Sequence, residues 1–228
     1  MRRRMLASVG GKALPYLRRV AYLKATGTQF LNPQVQLEFP VKLNARHKFE
    51  TGNPTGGGII AIYKNSSSRN IYLACSRANG YLGYRLDENN VYTRYYADRE
   101  TLFREVEVFM DQGDQYMIID GEISASSSLV SNKPIIVGSP YIFAVNEVGN
   151  PSPSIFAHMS VSYITLQINE KKILDLIPVL DLSGRPAMYD KVSGQLFYNQ
   201  GTGEFIWGEL DAASNAPSQL GGGITAYA

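Results

Sequence analysis

Residues 103–121 read FREVEVFMDQGDQYMIIDG, and this stretch decides the fold class. From Val106 to Met110 every second side chain is apolar, and the residues between them are acidic or aromatic. Such alternation, with a period of two, is typical of a β-strand with one face buried. The polar turn at 112–114 and the Asp120-Gly121 pair separate this strand and the next from their neighbours. The stretch therefore predicts an antiparallel sheet built from consecutive strands.

Short apolar or alternating runs, bounded by turn residues, continue along the chain. Residues 87–90, Asp-Glu-Asn-Asn, favour a turn that makes a hairpin of the strands on either side. Only residues 14–23 could form a short helix. Many short strands in one stretch predict an all-β fold, an antiparallel β-sandwich or barrel. Besides the strand within 103–110, strands are predicted at 58–63, 71–76, 81–86, 91–96, 115–119, 133–137, 141–145, 161–168 and 173–179.

Composition excludes several classes of site. The 228 residues include one cysteine and two histidines. A single cysteine excludes an intrachain disulfide and a cysteine-based zinc site, and two histidines exclude a histidine-rich metal centre. No run approaches the roughly 18 apolar residues of a membrane-spanning helix, and the apolar run at 5–9 is too short for a secretory signal. We therefore predict neither a membrane span nor a secretory signal.

Basic residues are concentrated at the start of the chain. Residues 1–24 hold seven cations and no acid, whereas the other 204 residues carry 15 basic and 20 acidic side chains, a net charge of −5. We predict a basic arm at 1–19, a folded body at 20–210 and a flexible tail of small residues at 211–228. The arm is either a solvated tail or a docking element. As a docking element it would use Arg2, Arg3, Arg4, Lys12, Arg18 and Arg19.

Two segments carry a resemblance to a known family. Residues 20–32, VAYLKATGTQFLN, resemble the opening strand of laminin G-like, concanavalin A-like jelly rolls. Residues 175–205 are similar to the closing segment of the same domains. The resemblance spans about residues 20–208, nearly the whole chain. It implies a laminin G-like β-sandwich with extended N-terminal and C-terminal tails.

The closing segment has expected roles within such a fold. The resemblance implies that Asp190 and the Ser193-Gly194 pair form a turn there. It also implies that this segment folds back to complete the sandwich. The side chains expected to supply core surface are Phe197, Tyr198 and Phe205.

The resemblance implies more about fold than about function. Domains of this kind occur in phage structural proteins and in surface proteins of gut bacteria, and jelly rolls serve sugar binding, glycan hydrolysis and structural contacts. The favoured hypothesis is a non-enzymatic phage virion protein, in a head fibre, a head decoration or a tail appendage. The alternative is a carbohydrate-binding adhesin module located at a bacterial cell surface. A glycoside hydrolase is the third hypothesis.

The expected partners follow from these hypotheses. A basic arm could contact nucleic acid, an acidic membrane or an acidic protein. We expect protein partners, which are other virion proteins and copies of this chain, and a host-surface glycan where the adhesin reading applies. Nucleic acid is not expected, and no cofactor is.

A catalytic centre is not predicted. Glu105 and Glu107 share a strand face, as paired glycosidase carboxylates do, but Phe109 stands where a third carboxylate would be needed. We interpret the two glutamates as a solvated strand face. Neither histidine lies near a Gly-x-Ser-x-Gly motif, and Cys75 is interpreted as a buried structural thiol.

A loop calcium site is the remaining metal hypothesis. Asp111 and Asp114, or Asp87 and Glu88, are loop acids of the type that calcium binds. Their spacing lacks the dense Asp, Asn and Gly pattern of a calcium loop. We therefore predict no metal site.

An aromatic and basic sheet face is the candidate binding surface. If the alternating Leu82, Tyr84 and Leu86 point inward, Tyr81 and Arg85 point outward. In the next strand, the alternate residues 92, 94 and 96 share a face. Tyrosine offers an apolar ring with a hydroxyl, and arginine binds carboxylates, so the face suits a glycan or a protein partner. The alternative is that a loop of the same chain covers it. The residues are Tyr81, Arg85, Tyr92, Arg94 and Tyr96.

Overall fold

The computed structural model describes residues 8–9, 12–50, 57–63, 71–78, 81–86, 91–96, 102–111, 114–127, 139–147 and 150–210. Within these residues the chain forms strands and no helix, as predicted. The strands are β1 (Ser8–Val9), β2 (Lys12–Ala13), β3 (Tyr16–Arg19), β4 (Tyr22–Thr26), β5 (Val41–Phe49), β6 (Gly57–Tyr63), β7 (Ile71–Ala78), β8 (Tyr81–Leu86), β9 (Val91–Tyr96), β10 (Arg104–Met110), β11 (Gln115–Ile119), β12 (Glu122–Ser127), β13 (Ala144–Glu147), β14 (Asn150–Phe156), β15 (His158–Ile168), β16 (Lys171–Asp181), β17 (Pro186–Asp190), β18 (Leu196–Phe197) and β19 (Ile206–Gly208).

Eleven of these strands form one large antiparallel sheet. Its main path runs β12-β11-β10-β5-β15-β16-β17-β18. Strand β4 pairs with both β15 and β19, and β3 pairs with β16. The middle of the sheet is therefore made of β10, β5 and β15, three strands that are far apart in sequence.

A six-stranded sheet forms the second layer, in the order β14-β13-β6-β7-β8-β9. Its pairs are antiparallel except β13 with β6, which is parallel. Ile60 of β6 lies against Leu43, Val108 and Leu166 of the large sheet, within one continuous apolar core. The two sheets thus form a β-sandwich.

The core follows the alternation read from the sequence. In β10 the buried side chains are Val106, Val108 and Met110, which confirms the predicted phase of that strand. In β5 every second residue from Val41 to Phe49 is buried in the same core. Burying one face of each strand supplies the main stabilising free energy, at about 25 cal/mol per Å² of apolar surface.

The closing segment has the turn that its resemblance implies. The carboxylate of Asp190 accepts hydrogen bonds from the backbone N–H groups of Asp175, Val192 and Ser193 and from the Ser193 hydroxyl, at 2.6 to 3.1 Å. Phe205 is buried in the main core. The half-buried side chain of Phe197 packs against the same core and that of Tyr198 against a smaller apolar cluster.

The start of the sheet differs from the sequence prediction. Residues 14–23 form no helix, and β3, which lies inside the predicted arm, is hydrogen-bonded to the end of β16. Tyr16 packs on Tyr189, with ring centroids 4.9 Å apart, and this tertiary contact outweighs a weak helical propensity. Arg18 donates hydrogen bonds to both carboxylate oxygens of Glu209, so this predicted docking residue is engaged within the chain.

The other parts of the predicted arm and tail are less fully described. Arg2, Arg3 and Arg4, the side chain of Lys12, and the tail at 211–228 lie outside the described residues, as does the predicted strand at 133–137. Arg19 lies opposite Val179 and is exposed. The docking role of the arm therefore stays a prediction.

Candidate functional site

The large sheet turns a polar and aromatic face away from the core. We call it the outer face, and its middle consists of side chains from β5, β10, β11 and β15. Register places these residues in rows across the strands, because directly opposite residues lie on the same side of a sheet. Successive rows are Tyr116–Phe109–Lys42–Gln167, Ile118–Glu107–Asn44–Thr165 and Glu105–Arg46–Tyr163.

Two stacked rings mark one end of the outer face. Phe109 and Tyr116 lie opposite each other with ring centroids 5.2 Å apart and planes inclined by 18°. Beside them, Glu107 receives a hydrogen bond from the Tyr116 hydroxyl at 3.0 Å and pairs with Lys42 at 2.8 Å. The Glu107 carboxylate raises the pKa of Lys42, and burial together with that carboxylate raises the pKa of Tyr116.

A second carboxylate lies one row further along β10. Glu105 accepts a hydrogen bond from the Tyr163 hydroxyl and pairs with Arg46, whose Nε lies 3.4 Å from its Oε1. Burial, reinforced by this hydrogen bond, raises the pKa of Tyr163 above its usual range. About half of the Glu105 side chain is exposed (51%) and Arg46 is similar (48%), so this pair borders solvent.

A third carboxylate anchors the far end of the face. Glu50 accepts a hydrogen bond from the Ser160 hydroxyl at 2.6 Å and pairs with Lys24 at 2.9 Å and Lys48 at 3.2 Å. Burial would raise the pKa of Glu50, but these hydrogen bonds outweigh burial and lower it. The Glu50 carboxylate is therefore largely buried, and its partners all belong to this chain.

A second pair of rings lies beside this cluster. Tyr22 and Phe103 have ring centroids 5.7 Å apart. The Arg46 guanidinium lies 5.2 Å from the Phe103 ring centroid, and Lys48 Nζ lies 5.7 Å from it, within the range of cation–π attraction. The Tyr22 ring also covers Gly208, where an added Cβ would overlap it. A half-buried ring pair with cationic neighbours therefore stands at this end.

Three side chains among the charged groups of the outer face are polar but neutral. Asn44 lies opposite Thr165, and Gln167 lies opposite Lys42. All three are partly exposed. Within the described part of the chain, none of their side-chain polar atoms takes part in a hydrogen bond, in contrast to the carboxylates around them. They therefore have hydrogen-bonding capacity to offer a ligand.

The glutamates considered as a catalytic pair do share one face, as predicted. Glu105 pairs with Arg46 and Glu107 pairs with Lys42, both from the neighbouring strand. Each glutamate also accepts a hydrogen bond from a tyrosine hydroxyl. Arg104, a neighbour in sequence, instead pairs with Asp120. Glu105 and Glu107 are thus engaged in hydrogen bonds within the sheet.

The residues predicted as a binding surface lie in the other sheet. Tyr81 and Arg85 belong to β8, and Tyr92, Arg94 and Tyr96 belong to β9. Arg85 is opposite Tyr92 and Leu82 is opposite Tyr96, with a register shift between Gly83 and Tyr84. Regular alternation is therefore interrupted in this pair of strands. Their side chains lie outside the described part of the structure, so the binding role stays a prediction.

The two histidines take different positions. His47 lies in the core, fully buried, with its ring 4.9 Å from that of Phe49, and burial lowers its pKa to about 3. His158 is half-buried against Gly27, where a Cβ would overlap its imidazole. Burial, followed by the nearby Lys24 charge, lowers the pKa of His158. The strand that holds Cys75 is β7, but its side chain lies outside the described part.

Within the described residues, no group of three or more His, Cys, Asp or Glu residues is arranged to hold a metal ion. Asp111 follows β10 and Asp114 precedes β11, and the Asp111 N–H donates to the Asp114 carbonyl at 2.8 Å. Asp87 and Glu88 lie outside the described residues. The described chain also contains no helix of the length and apolar character needed to cross a membrane.

Comparison with known proteins identifies the fold. No family model and no curated protein sequence matches this chain. Among solved structures, it is similar to a candidate carbohydrate-binding protein from Bacteroides ovatus, with a TM-score of 0.56 and 13% identity over 86% of this chain and 61% of that chain. The chain thus spans about three fifths of the length of that protein.

Two further structures are similar at lower scores. Domains LG4-5 of the mouse laminin alpha1 chain have a TM-score of 0.47 and 13% identity, over 75% of this chain and 47% of that chain. The CBM40 of the Ruminococcus gnavus IT-sialidase has a TM-score of 0.43 and 12% identity, over 66% of this chain and 87% of that chain. The protein has the laminin G-like, concanavalin A-like β-sandwich fold, which confirms the fold that the resemblance implies.

Strand β5, which lies at the middle of the outer face, is absent from the strands predicted from the sequence. Strand β5 carries Lys42, Asn44, Arg46 and Lys48 outward, yet no strand is predicted there. The signal is present, since apolar Val41, Leu43, Ala45 and Phe49 alternate with those polar residues. The alternation was overlooked because three of the outward residues, Lys42, Arg46 and Lys48, are cationic.

Proposed function

We propose that this protein is a non-enzymatic carbohydrate-binding β-sandwich whose glycan lies on the outer face. The observation that carries the proposal is the stacked Phe109–Tyr116 ring pair on the same sheet face as Asn44, Thr165 and Gln167. Flat rings and free neutral hydrogen-bonding groups are what a sugar, with apolar ring faces and many hydroxyls, can use. The similarity to a candidate carbohydrate-binding protein supports the same function.

A binding role accounts for the carboxylates better than catalysis does. A glycosidase needs one carboxyl group to protonate the leaving group and another to act on the sugar. Glu105 and Glu107 each already hold a cation and a tyrosine hydroxyl. The similar structure from Bacteroides ovatus is likewise described as a candidate carbohydrate-binding protein.

The location follows the function. A glycan-binding domain fits a bacterial cell surface, the alternative location given by the sequence. The favoured virion role, with virion proteins as partners, finds no support in the comparisons.

A glycan array with the purified protein tests the function. We expect binding to at least one glycan class, and a loss of that binding in Phe109→Ala and Tyr116→Ala. Leu182→Ala, which truncates an exposed apolar side chain in the turn after β16, is the matched control and should bind as the parent does. Absence of binding by the folded parent protein would refute the function, and full binding by both ring variants would refute the site.

A further inference from the structure

We propose that the ligand of the outer face is an uncharged, extended oligosaccharide that lies lengthwise along β10 and β5, from the Phe109–Tyr116 ring pair to the Tyr22–Phe103 ring pair. This inference rests on the proposed function and adds the chemical class and orientation of the ligand. Three observations carry it: the positions of the rings, the pairing of the charges and the nature of the free polar groups.

The two ring pairs stand at opposite ends of one strand. Phe109 lies near the end of β10, and Phe103 immediately precedes that strand. Six residues at about 3.4 Å per residue separate their Cα atoms by roughly 20 Å. A ligand that touches both ring pairs must therefore be longer than one or two sugars and must follow the strand direction. A ligand lying across the strands would meet one ring pair at most.

The charges between the ring pairs are matched within the sheet. Lys42 pairs with Glu107, and Arg46 pairs with Glu105, at 2.8 and 3.4 Å. Beyond them, at the Tyr22–Phe103 end, Lys24 and Lys48 share the single carboxylate of Glu50, which leaves one positive charge in excess there. Between the ring pairs, an anionic ligand would have to compete with Glu105 and Glu107 for their cations, and it would bring its own charge close to these carboxylates. This part of the face is therefore electrostatically suited to a neutral ligand.

The groups left for the ligand are neutral as well. Asn44 and Thr165 lie one row further along the strands than the Phe109–Tyr116 pair, towards the other ring pair, and Gln167 lies in the same row as Phe109 and Tyr116. Amides and hydroxyls donate and accept hydrogen bonds, and sugar hydroxyls do both in return. Leaving such groups without a ligand hydrogen bond when the face is covered would cost affinity, so they favour a hydroxyl-rich ligand over an apolar one.

A length series measured by isothermal titration calorimetry tests the inference. The neutral probes are di-, tetra- and hexasaccharides of cellulose, mannan and β-1,3-glucan, and the anionic probes are oligogalacturonates of matching length. We expect the affinity of a neutral series to rise by about tenfold or more from disaccharide to hexasaccharide, which corresponds to one additional ring contact. We also expect neutral binding to change little between low and high salt.

Variants at the two ends separate the contacts. Phe103→Ala and Phe109→Ala should each weaken hexasaccharide binding by about tenfold, whereas only one of them should weaken disaccharide binding. Leu182→Ala is again the control, and thermal unfolding verifies that each variant is folded.

The outcomes distinguish the inference from the function on which it rests. Equal affinity for disaccharide and hexasaccharide, tighter binding of oligogalacturonates, or unchanged hexasaccharide binding in Phe103→Ala would each overturn the inference and leave glycan binding intact. If the folded protein binds no glycan on the array or in these titrations, the proposed function fails and the inference fails with it.

Discussion

Asn44 on β5 and Thr165 on β15 lie directly opposite each other at the middle of the outer face. Within the described residues, neither side chain takes a hydrogen bond from the chain itself. Polar groups of this kind contribute little to folding, because water satisfies them equally well before and after the chain folds. In the proposed complex, these two side chains form hydrogen bonds with the ligand.

Removing these two groups should separate binding from stability. In Asn44→Ala and Thr165→Val we expect the free energy of unfolding to change by less than about 0.5 kcal/mol, as at ordinary surface positions. Glycan affinity should fall by about three- to tenfold per variant, the range of one net hydrogen bond. Urea unfolding and calorimetric titration measure the two quantities. Strong destabilisation with unchanged affinity would assign both residues a structural role.

The buried His47 should make stability fall on mild acidification. Its pKa is about 3 in the folded protein and about 6.5 in the unfolded chain. Between these values the unfolded chain binds the proton and the folded protein does not. The free energy of unfolding therefore decreases as pH falls, by about 1.5 kcal/mol from pH 6.5 to pH 5 for this group alone.

The histidine effect can be measured apart from the carboxylates. The lowered pKa values of Glu50, Asp120, Asp175 and Asp181 also favour the folded state. Their contribution is lost only below about pH 4.5, as the pH falls from the unfolded carboxyl values towards the lower values of the folded state. Urea unfolding of His47→Leu should show a flatter pH dependence from 6.5 to 5. His158→Asn is the comparison and should flatten the dependence less, because His158 is only half-buried whereas His47 is fully buried. An unchanged slope in His47→Leu would contradict the assignment.

The turn organised by Asp190 should be critical for stability. Its carboxylate accepts four hydrogen bonds, one of them from the buried backbone N–H of Asp175. Asp190→Ala leaves these donors without their acceptor, so we expect a loss of about 3 kcal/mol in the free energy of unfolding. Glu38→Ala, at an exposed position with no described side-chain partner, is the control and should change stability little. Equal stability of the two variants would show that the turn does not depend on the carboxylate.

Two truncations test where the folded body begins. Removing residues 1–14 should leave stability close to that of the full chain, because β3 starts at Tyr16. Removing residues 1–19 deletes β3, uncovers Tyr189 and breaks the Arg18–Glu209 pair. We expect a loss of at least about 2 kcal/mol in the longer truncation, the scale of one buried aromatic side chain. Thermal unfolding measures both, and equal melting temperatures would restore residue 20 as the boundary.

Local alternation was sufficient to predict the strands that have a regular period. The pattern of Val106, Val108 and Met110 gave both the strand and its buried face. The short N-terminal strand β3 could not be predicted in this way, because its place depends on Tyr16 packing against Tyr189, which is 173 residues away in sequence. The order of strands in the sheet decides which residues such a strand contacts. A local sequence pattern carries no information about that order.

The candidate site was less predictable than the fold for the same reason. Asn44, Glu107 and Thr165 come from β5, β10 and β15, and only the order of these strands brings them into one row. Sequence analysis identified Glu105 and Glu107 as sharing a face, but their cationic partners Arg46 and Lys42 lie on a strand that it missed. The sequence instead predicted the binding surface on β8 and β9, because aromatic and basic residues are concentrated in those strands.

The central claim is that a glycan occupies the outer face, and chemical-shift mapping by NMR tests it most directly. The labelled protein is titrated with the neutral hexasaccharide that binds best in the calorimetric series. The account predicts shift changes at the outward residues of β5, β10, β11 and β15, including the side-chain amides of Asn44 and Gln167. Changes confined to β8 and β9, around Tyr81 and Tyr92, or an absence of changes at saturating hexasaccharide, would contradict it.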